Sequence, residues 1–241
     1  YGILGPNGSG KTTTLGIILD IIRADGGAYR WFDGMPGPQA RKRLGALLET
    51  PNFYPYLNAD ENLQIIAHIK KVKNPDIDRL LDIVNLRKRR RSSFSTYSLG
   101  MKQRLAIAGA MIGDPDVLIF DEPTNGLDPQ GIAEVRNTIR QIGENGKTIL
   151  MASHILDEVE KVCSHVAIIK SGKLLATGTV GAILDNKMEG QAGCADLPKL
   201  KSLMAELPFI SEVREDGPLL SFQMEPGHDP SELNRLAFEN G

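Results

Sequence analysis

Gly5-Pro6-Asn7-Gly8-Ser9-Gly10-Lys11-Thr12 decides how the rest of the chain is read. The eight residues fit G-x-x-x-x-G-K-[ST], the pattern of a phosphate-binding loop. Tyr1 to Leu4 reads as the end of a strand and Thr13 to Ile22 as an amphipathic helix, so the loop joins strand to helix as the pattern requires. Its glycines let the backbone bend tightly and turn N–H groups toward an anion. The helix N-terminus adds about half a positive charge at the same place. Lys11 is expected to reach the outer phosphates as a point charge, Thr12 to set its hydroxyl on Mg²⁺, and Thr13 to complete the cradle.

Composition sets outer bounds. The chain has 241 residues, 41% of them hydrophobic, with a net charge of −2. That length suggests one large domain, or one with a small companion. The balanced charge gives no basic excess to argue for nucleic acid. Cys163 and Cys194 stand far apart in unlike settings, which reads as a reduced chain without a soft-ligand metal site. No apolar run reaches the ~20 residues that cross a bilayer. The first residue, Tyr1, sits inside a strand, and the last, Asn240-Gly241, is a helix-stop signal. Both termini are therefore expected to be truncated.

Working outward, Ala28 to Phe32 is expected as a short strand, Met35 to Pro38 as a loop, and Arg41 to Glu49 as a strand ending at Glu49. Ala59 begins a helix with Leu63, Ile65, Ile66 and Ile69 on one stripe, and Pro75 begins another with Ile77, Leu80, Leu81 and Val84 inward. Arg87 to Arg91 is a basic run, read as a solvated loop because no aromatic platform interleaves it. Leu105 to Ile112 is helical and Gly113-Asp114-Pro115 stops it. Val117 to Phe120 is a continuous apolar run, the mark of a strand covered on both faces. A helix over Gln130 to Gly143, a strand over Thr148 to Ala152, a helix over Ile155 to Val162 and a hairpin about Ser171-Gly172 follow. The alternation predicts an α/β fold, a mostly parallel sheet flanked by helices. The loop then lies at the carboxyl ends of the strands, where such sheets bind ligands. From about residue 186 prolines recur and short patterns alternate. A small α+β appendage is expected there, with helices over Leu197 to Leu207 and Ser231 to Phe238 and an antiparallel pair at Ile210 to Glu215 and Leu219 to Met224.

Asp121 and Glu122 leave the buried strand. Asp121 is expected to hold the Mg²⁺ shell and Glu122 to polarise a water in line with the γ-phosphate. Ser98-Leu99-Gly100-Met101-Lys102-Gln103-Arg104 opens the preceding helix and offers a second anion site. Two such helix starts on one chain suggest a nucleotide held between two subunits, head to tail.

With these residues in view, the chain resembles the nucleotide-binding subunit of an ABC transporter, a P-loop NTPase. Residues 5 to 12 resemble its Walker A loop and Val117 to Glu122 its Walker B strand. Ser98 to Gln103 stands for the signature, Asn125-Gly126-Leu127-Asp128 for the D-loop and His154 for the switch histidine. The match covers about residues 1 to 185, a nucleotide-binding domain with a helical subdomain near 58 to 97; residues 186 to 241 are left as an incomplete accessory domain. The resemblance implies that a homodimer or heterodimer closes over two ATP molecules. Each ATP would meet Walker A of one subunit and Ser98 and Gly100 of the other, and Asp128 would be a further nucleotide-binding residue. His154 would touch the γ-phosphate. The helical subdomain would receive a polytopic membrane subunit made as a separate chain, placing this one on the cytoplasmic face of the membrane.

Two departures stand out. Glu49 occupies the place where the family usually has Gln. This variant resembles exporters of lantibiotic-type peptides, and it suggests that Glu49 ligates or orients the Mg²⁺ shell; unchanged Mg²⁺ dependence in Glu49→Gln would argue against that. The adenine-stacking aromatic of the family lies upstream of Tyr1. A soluble ABC-type ATPase of DNA repair or translation is the alternative, but residues 50 to 97 are too short for that class's inserted modules and only one Walker A is present. A regulator without turnover is disfavoured by Glu122 and His154 together.

Overall fold

Strand β1 (Gly2–Leu4) lies inside a six-stranded sheet, and the loop at its carboxyl end leads into α1 (Lys11–Ile18). The computed structural model describes residues 1–34, 37–48, 50–184, 188–194, 196–224 and 229–239. After α1 come α2 (Gly37–Lys42), β2 (Leu44–Leu47), α3 (Ala59–Ile69), α4 (Ile77–Ile83), α5 (Leu99–Met111) and β3 (Val117–Asp121). Then follow α6 (Pro129–Glu144), β4 (Thr148–Ser153), α7 (Leu156–Val162), β5 (His165–Lys170) and β6 (Lys173–Thr179). The strand order is β2-β3-β4-β1-β5-β6. All pairings are parallel except β5 with β6.

The apolar run of β3 is buried at every position. Alternation sends Val117 and Ile119 to one face, where they pack with Ile3, Leu15, Leu19, Leu44 and Ala152. Leu118 and Phe120 go to the other face, each fully buried, and such side chains contribute about 2–3 kcal/mol apiece. On that face α5 comes so close to β2 that a Cβ on Gly45 would stand 2.2 Å from the Ala110 carbonyl oxygen. The register pairs Asp121 with Ala152 and Leu4 with Ser153. The carboxyl ends of β1, β3 and β4 are thereby brought level at one edge.

Between β2 and β3 the chain forms the helical subdomain. Asn58 and Glu61 close a reciprocal capping box on α3, and Asp76 caps α4. Buried Asn62 bonds the Tyr54 amide and the Tyr54, Leu57 and Asn58 carbonyls, which pins the irregular segment ahead of α3. The expected stripe on α3 turns out narrower: Leu63 is buried but Ile69 is 72% exposed. Ala59, Asn62 and Ala67 complete the inner face instead. Arg104 of α5 donates to the Val84 and Asn85 carbonyls and pairs with Glu134 of α6 at 2.9 Å, locking three helices together.

Several local expectations fail for identifiable reasons. Helix α1 stops at Ile18, because Asp20 takes a left-handed φ of 60° and the Ile21 and Ile22 amides both turn back to the Gly16 carbonyl. Ala28 to Phe32 forms no strand. Phe32 and Asp33 sit at φ 46° and 57°, Trp31 donates its indole N–H to the Ile18 carbonyl, and Arg43 stacks over the Phe32 ring. Arg41 and Lys42 end helix α2 instead of opening a strand.

Contacts divide the chain into Tyr1–Val180 and Gly181–Gly241. The sequence-based boundary at 185/186 falls outside the described residues. Past the short helix α8 (Val180–Leu184), the second unit contains β7 (Met188–Ala192), α9 (Leu197–Glu206), β8 (Ile210–Asp216), β9 (Leu219–Met224) and α10 (Pro230–Glu239). Its antiparallel sheet has the order β7-β9-β8, so β8 and β9 pair as expected and β7 is an addition. Leu200, Met204, Phe209, Ile210, Leu220, Phe222, Met224 and Leu233 form a core of its own.

Candidate active site

The loop from Gly5 to Gly10 leaves β1 with the Gly5 amide on the Ser153 carbonyl oxygen (3.3 Å) and the Ser9 amide on that of Pro6 (3.1 Å). Gly10 precedes α1 at φ 103°, a conformation that L side chains avoid. Pro6, Asn7 and Gly8 are exposed, and so are Thr12 and Thr13 at the helix start, whereas Gly5, Ser9 and Lys11 are buried. The Ser9 carbonyl accepts from the Gly172 amide at 2.9 Å, tying the loop to the β5–β6 turn.

Lys11 is only 5% exposed. Its Nζ donates to the Gly5 carbonyl at 2.8 Å and to that of Pro6 at 3.2 Å, and lies 3.2 Å from Glu122 Oε1. The two carbonyls take hydrogen bonds, while Glu122 faces the ammonium as a counter-charge, its Oε1 accepting no hydrogen bond among the described residues. Thr12 Oγ1 donates to Asp121 Oδ2 at 2.6 Å, a short charge-assisted bond. Glu122 takes a left-handed φ of 48° just past the end of β3, and its amide donates to the Ala152 carbonyl at 3.0 Å. A non-glycine residue in that region carries about 1–3 kcal/mol of strain, which the surroundings must hold. Glu122 Oε2 meets His154 Nδ1 at 2.8 Å. Lys11, Thr12, Asp121, Glu122 and His154 thus converge from the ends of three neighbouring strands.

The chemistry of this cluster is legible. The loop and the α1 N-terminus suit a polyphosphate. The Thr12–Asp121 pair offers hard oxygen donors of the kind Mg²⁺ accepts. Among the described residues no group of three or more His, Cys, Asp or Glu could hold a metal. Any Mg²⁺ there would complete its shell with phosphate and water oxygens, so ion and nucleotide would bind together. Glu49 lies outside the described residues.

Ser98 and Asp128 are helix caps: Ser98 Oγ accepts from the Met101 amide at 3.3 Å, and Asp128 Oδ1 from the Gly131 amide at 3.1 Å. The two helix starts touch, since a Cβ on Gly100 would lie 3.4 Å from the Gly131 Cα and one on Gly126 would lie 3.6 Å from Leu99. Among the described residues no hydrogen bond or ion pair joins Ser98, Gly100 or Asp128 to the Gly5–Thr13 loop. They form a second cluster in the same unit.

Sequence reasoning passed over Glu158, Thr124 and Ser153. Glu158 is 3% exposed, and its Oε2 accepts from Thr124 Oγ1 and, at 3.1 Å, from Ser153 Oγ. In the sequence it is one more acid in the first turn of a helix, so only its distance from His154 could have drawn notice.

The family model described as ABC transporter matches residues 1–125. The bacitracin transport ATP-binding protein BcrA of Bacillus licheniformis is 45% identical over the whole of this chain and 81% of its own length. The protein of the same name from Enterococcus faecalis is 41% identical over 73% of this chain, which spans only 58% of that relative. The Nod factor export ATP-binding protein I of Cupriavidus pinatubonensis is 34% identical over 92% of this chain and 74% of its own. Among solved structures, cbiO1 from Clostridium perfringens, described as part of the ABC transporter complex cbiONQ, aligns with a TM-score of 0.67. That alignment has 26% identity and covers 86% of this chain and 83% of the other.

Proposed function

The chain belongs to the ABC transporter family, and on that premise we propose that it binds and hydrolyses ATP to drive a separate polytopic membrane subunit, as part of an exporter. The observation that carries this is the convergence of Lys11, Thr12, Asp121, Glu122 and His154 at the carboxyl edge of the sheet. Backbone amides of the Gly5–Thr13 loop and the Lys11 ammonium take the phosphates. Thr12 and Asp121 would hold Mg²⁺, with Glu49 expected beside it from its place in the sequence. The ion, when bound, supplies charge neutralisation on the phosphate oxygens.

Glu122 Oε1 lies 3.2 Å from Lys11 Nζ. Phosphate drawn to Lys11 would compete with that pairing and leave the Glu122 carboxylate to orient a water, with His154 holding its other oxygen. Positioning of this kind is most of what phosphoryl transfer asks of a protein. Ser98, Gly100 and Asp128 do not serve their own loop, which favours a second copy or a related subunit bringing its loop to them, head to tail. Residues 58 to 97 are the surface offered to the membrane subunit, placing this chain at the cytoplasmic face. Among the described residues no helix is long and apolar enough to cross a membrane itself. The relatives named for bacitracin transport and Nod factor export support a transporter over an ATPase of DNA repair or translation.

Glu122→Gln tests the reading. It should keep ATP affinity, lose roughly 100-fold or more in steady-state phosphate release, and accumulate a nucleotide-bound dimer on gel filtration. Normal turnover in that variant would show that Glu122 does not orient the attacking water.

A further inference from the structure

We propose that Glu158 is a positioning residue that sets the Glu122–His154 pair for hydrolysis, an inference that rests on the hydrolytic reading of the site. Its carboxylate sits between the two turns that carry that pair. One oxygen, Oε2, accepts from both Thr124 and Ser153, which are themselves 5% and 0% exposed. Thr124 lies within the turn that the Asn125 amide closes onto the Glu122 carbonyl at 3.1 Å. Ser153 Oγ accepts from the Ile155 amide at 3.0 Å, which closes the turn around His154. The Ser153 carbonyl meanwhile receives the Gly5 amide at the root of the phosphate loop. One buried side chain therefore joins the ends of β3 and β4 and reaches the loop through a single intermediate.

The rest of its environment argues against a purely stabilising purpose. Among the described residues no cation pairs with Glu158, and Oε1 takes no hydrogen bond. A buried carboxylate facing only two hydroxyls is a poor way to stabilise a core, where an apolar residue of similar volume often does better. The strained backbone of Glu122 needs external support of this kind, because nothing in its own conformational preference keeps it there. Displacement of a reacting group by about 1 Å can lower rates 100-fold, so a brace acting through two hydroxyls has room for a large effect.

The test compares Glu158→Ala, Glu158→Gln and Thr124→Val in the full chain. Glu158→Ala should lower kcat roughly 10- to 100-fold with ATP affinity unchanged. Glu158→Gln keeps an oxygen for both hydroxyls and should recover most of the rate. Thr124→Val combined with Glu158→Ala should be no slower than Glu158→Ala alone, because both remove one connection. If Glu158→Ala does not fold, Thr124→Val carries the same expectation, a lower kcat at unchanged ATP affinity. A second readout needs no turnover: the His154 ring signals in NMR, assigned by their loss in His154→Gln, should shift in Glu158→Ala or, failing that, in Thr124→Val. Wild-type protein that releases no phosphate would defeat the hydrolytic reading and leave the His154 signals to decide this one. Unchanged kcat or unchanged His154 signals in a folded variant would overturn the proposal, and so would rate losses that multiply in the double variant.

Discussion

At the scale of single residues, Lys11 is where the glycine-rich loop meets the acid pair. The buried ammonium donates to two backbone carbonyls and faces, 3.2 Å away, the carboxylate proposed to work on water. Removing the lysine has two effects on ATP binding. It deletes the charge proposed to meet the phosphates, and it leaves Glu122 near the loop without that cation. Contacts to charged groups contribute about 1.5–3 kcal/mol, so Lys11→Ala should bind ATP roughly 10- to 100-fold more weakly in a fluorescent-nucleotide titration. An unchanged dissociation constant would mean that phosphate sits elsewhere. These residues could be read in advance because their chemistry is carried by type and spacing: a lysine after a glycine-rich turn, an acid pair after a buried strand. Glu158 could not. Its partners Thr124 and Ser153 are 34 and 5 positions away, and only the folded sheet brings both to one oxygen.

At the scale of elements, the basic run illustrates a pattern that sequence leaves open. Three of the five residues from Arg87 to Arg91 are tied to carboxylates. Arg87 pairs with Asp78 and Asp82, Arg90 with Asp60 at 2.7 Å and Asp78 at 2.6 Å, and Arg91 with Asp60 at 3.4 Å. The run fastens the turn after α4 to the starts of α3 and α4. The hydrogen bond from Arg90 holds the Asp78 carboxyl below the usual carboxylate range. A carboxylate whose folded pKa is depressed adds stability above its unfolded value, about 3.9, and loses it as pH falls through the lower folded value. The pair is solvent-exposed, so its share is modest. Urea midpoints followed from about pH 5 to pH 2 should therefore fall less steeply in Arg90→Gln than in the parent chain. Parallel acid limbs would show that the network adds nothing to this segment. The long apolar strands β3 and β4 and the helix α6 were legible because their periodicity and burial agree. Ala28 to Phe32 misled because its aromatic content mimics a strand. Trp31 instead anchors to the Ile18 carbonyl, and left-handed residues interrupt the extended backbone. Helix α2 was hidden by Gly37 and Pro38, ordinary breakers that here occupy a first turn, where no amide donor is needed.

At the scale of the whole chain, the candidate site and the appendage fall in different units. Every residue placed in the two clusters belongs to Tyr1–Val180, and Gly181–Gly241 has a core made of its own side chains. Met204 sits fully buried in that second core, on α9. Truncating it removes the transfer energy of the lost atoms and adds a cavity, together about 2–5 kcal/mol. A unit of this small size has little stability to spare. Met204→Ala should therefore raise hydrogen exchange through β8, β9 and α9, while exchange in β1, β3 and β4 stays at the parent level. ATP affinity should be unchanged, because the groups proposed to meet the phosphates all belong to Tyr1–Val180. A fall in ATP affinity, or faster exchange in the six-stranded sheet to match, would show that the two units fold as one, and the accessory unit would then belong in any account of how the site is built.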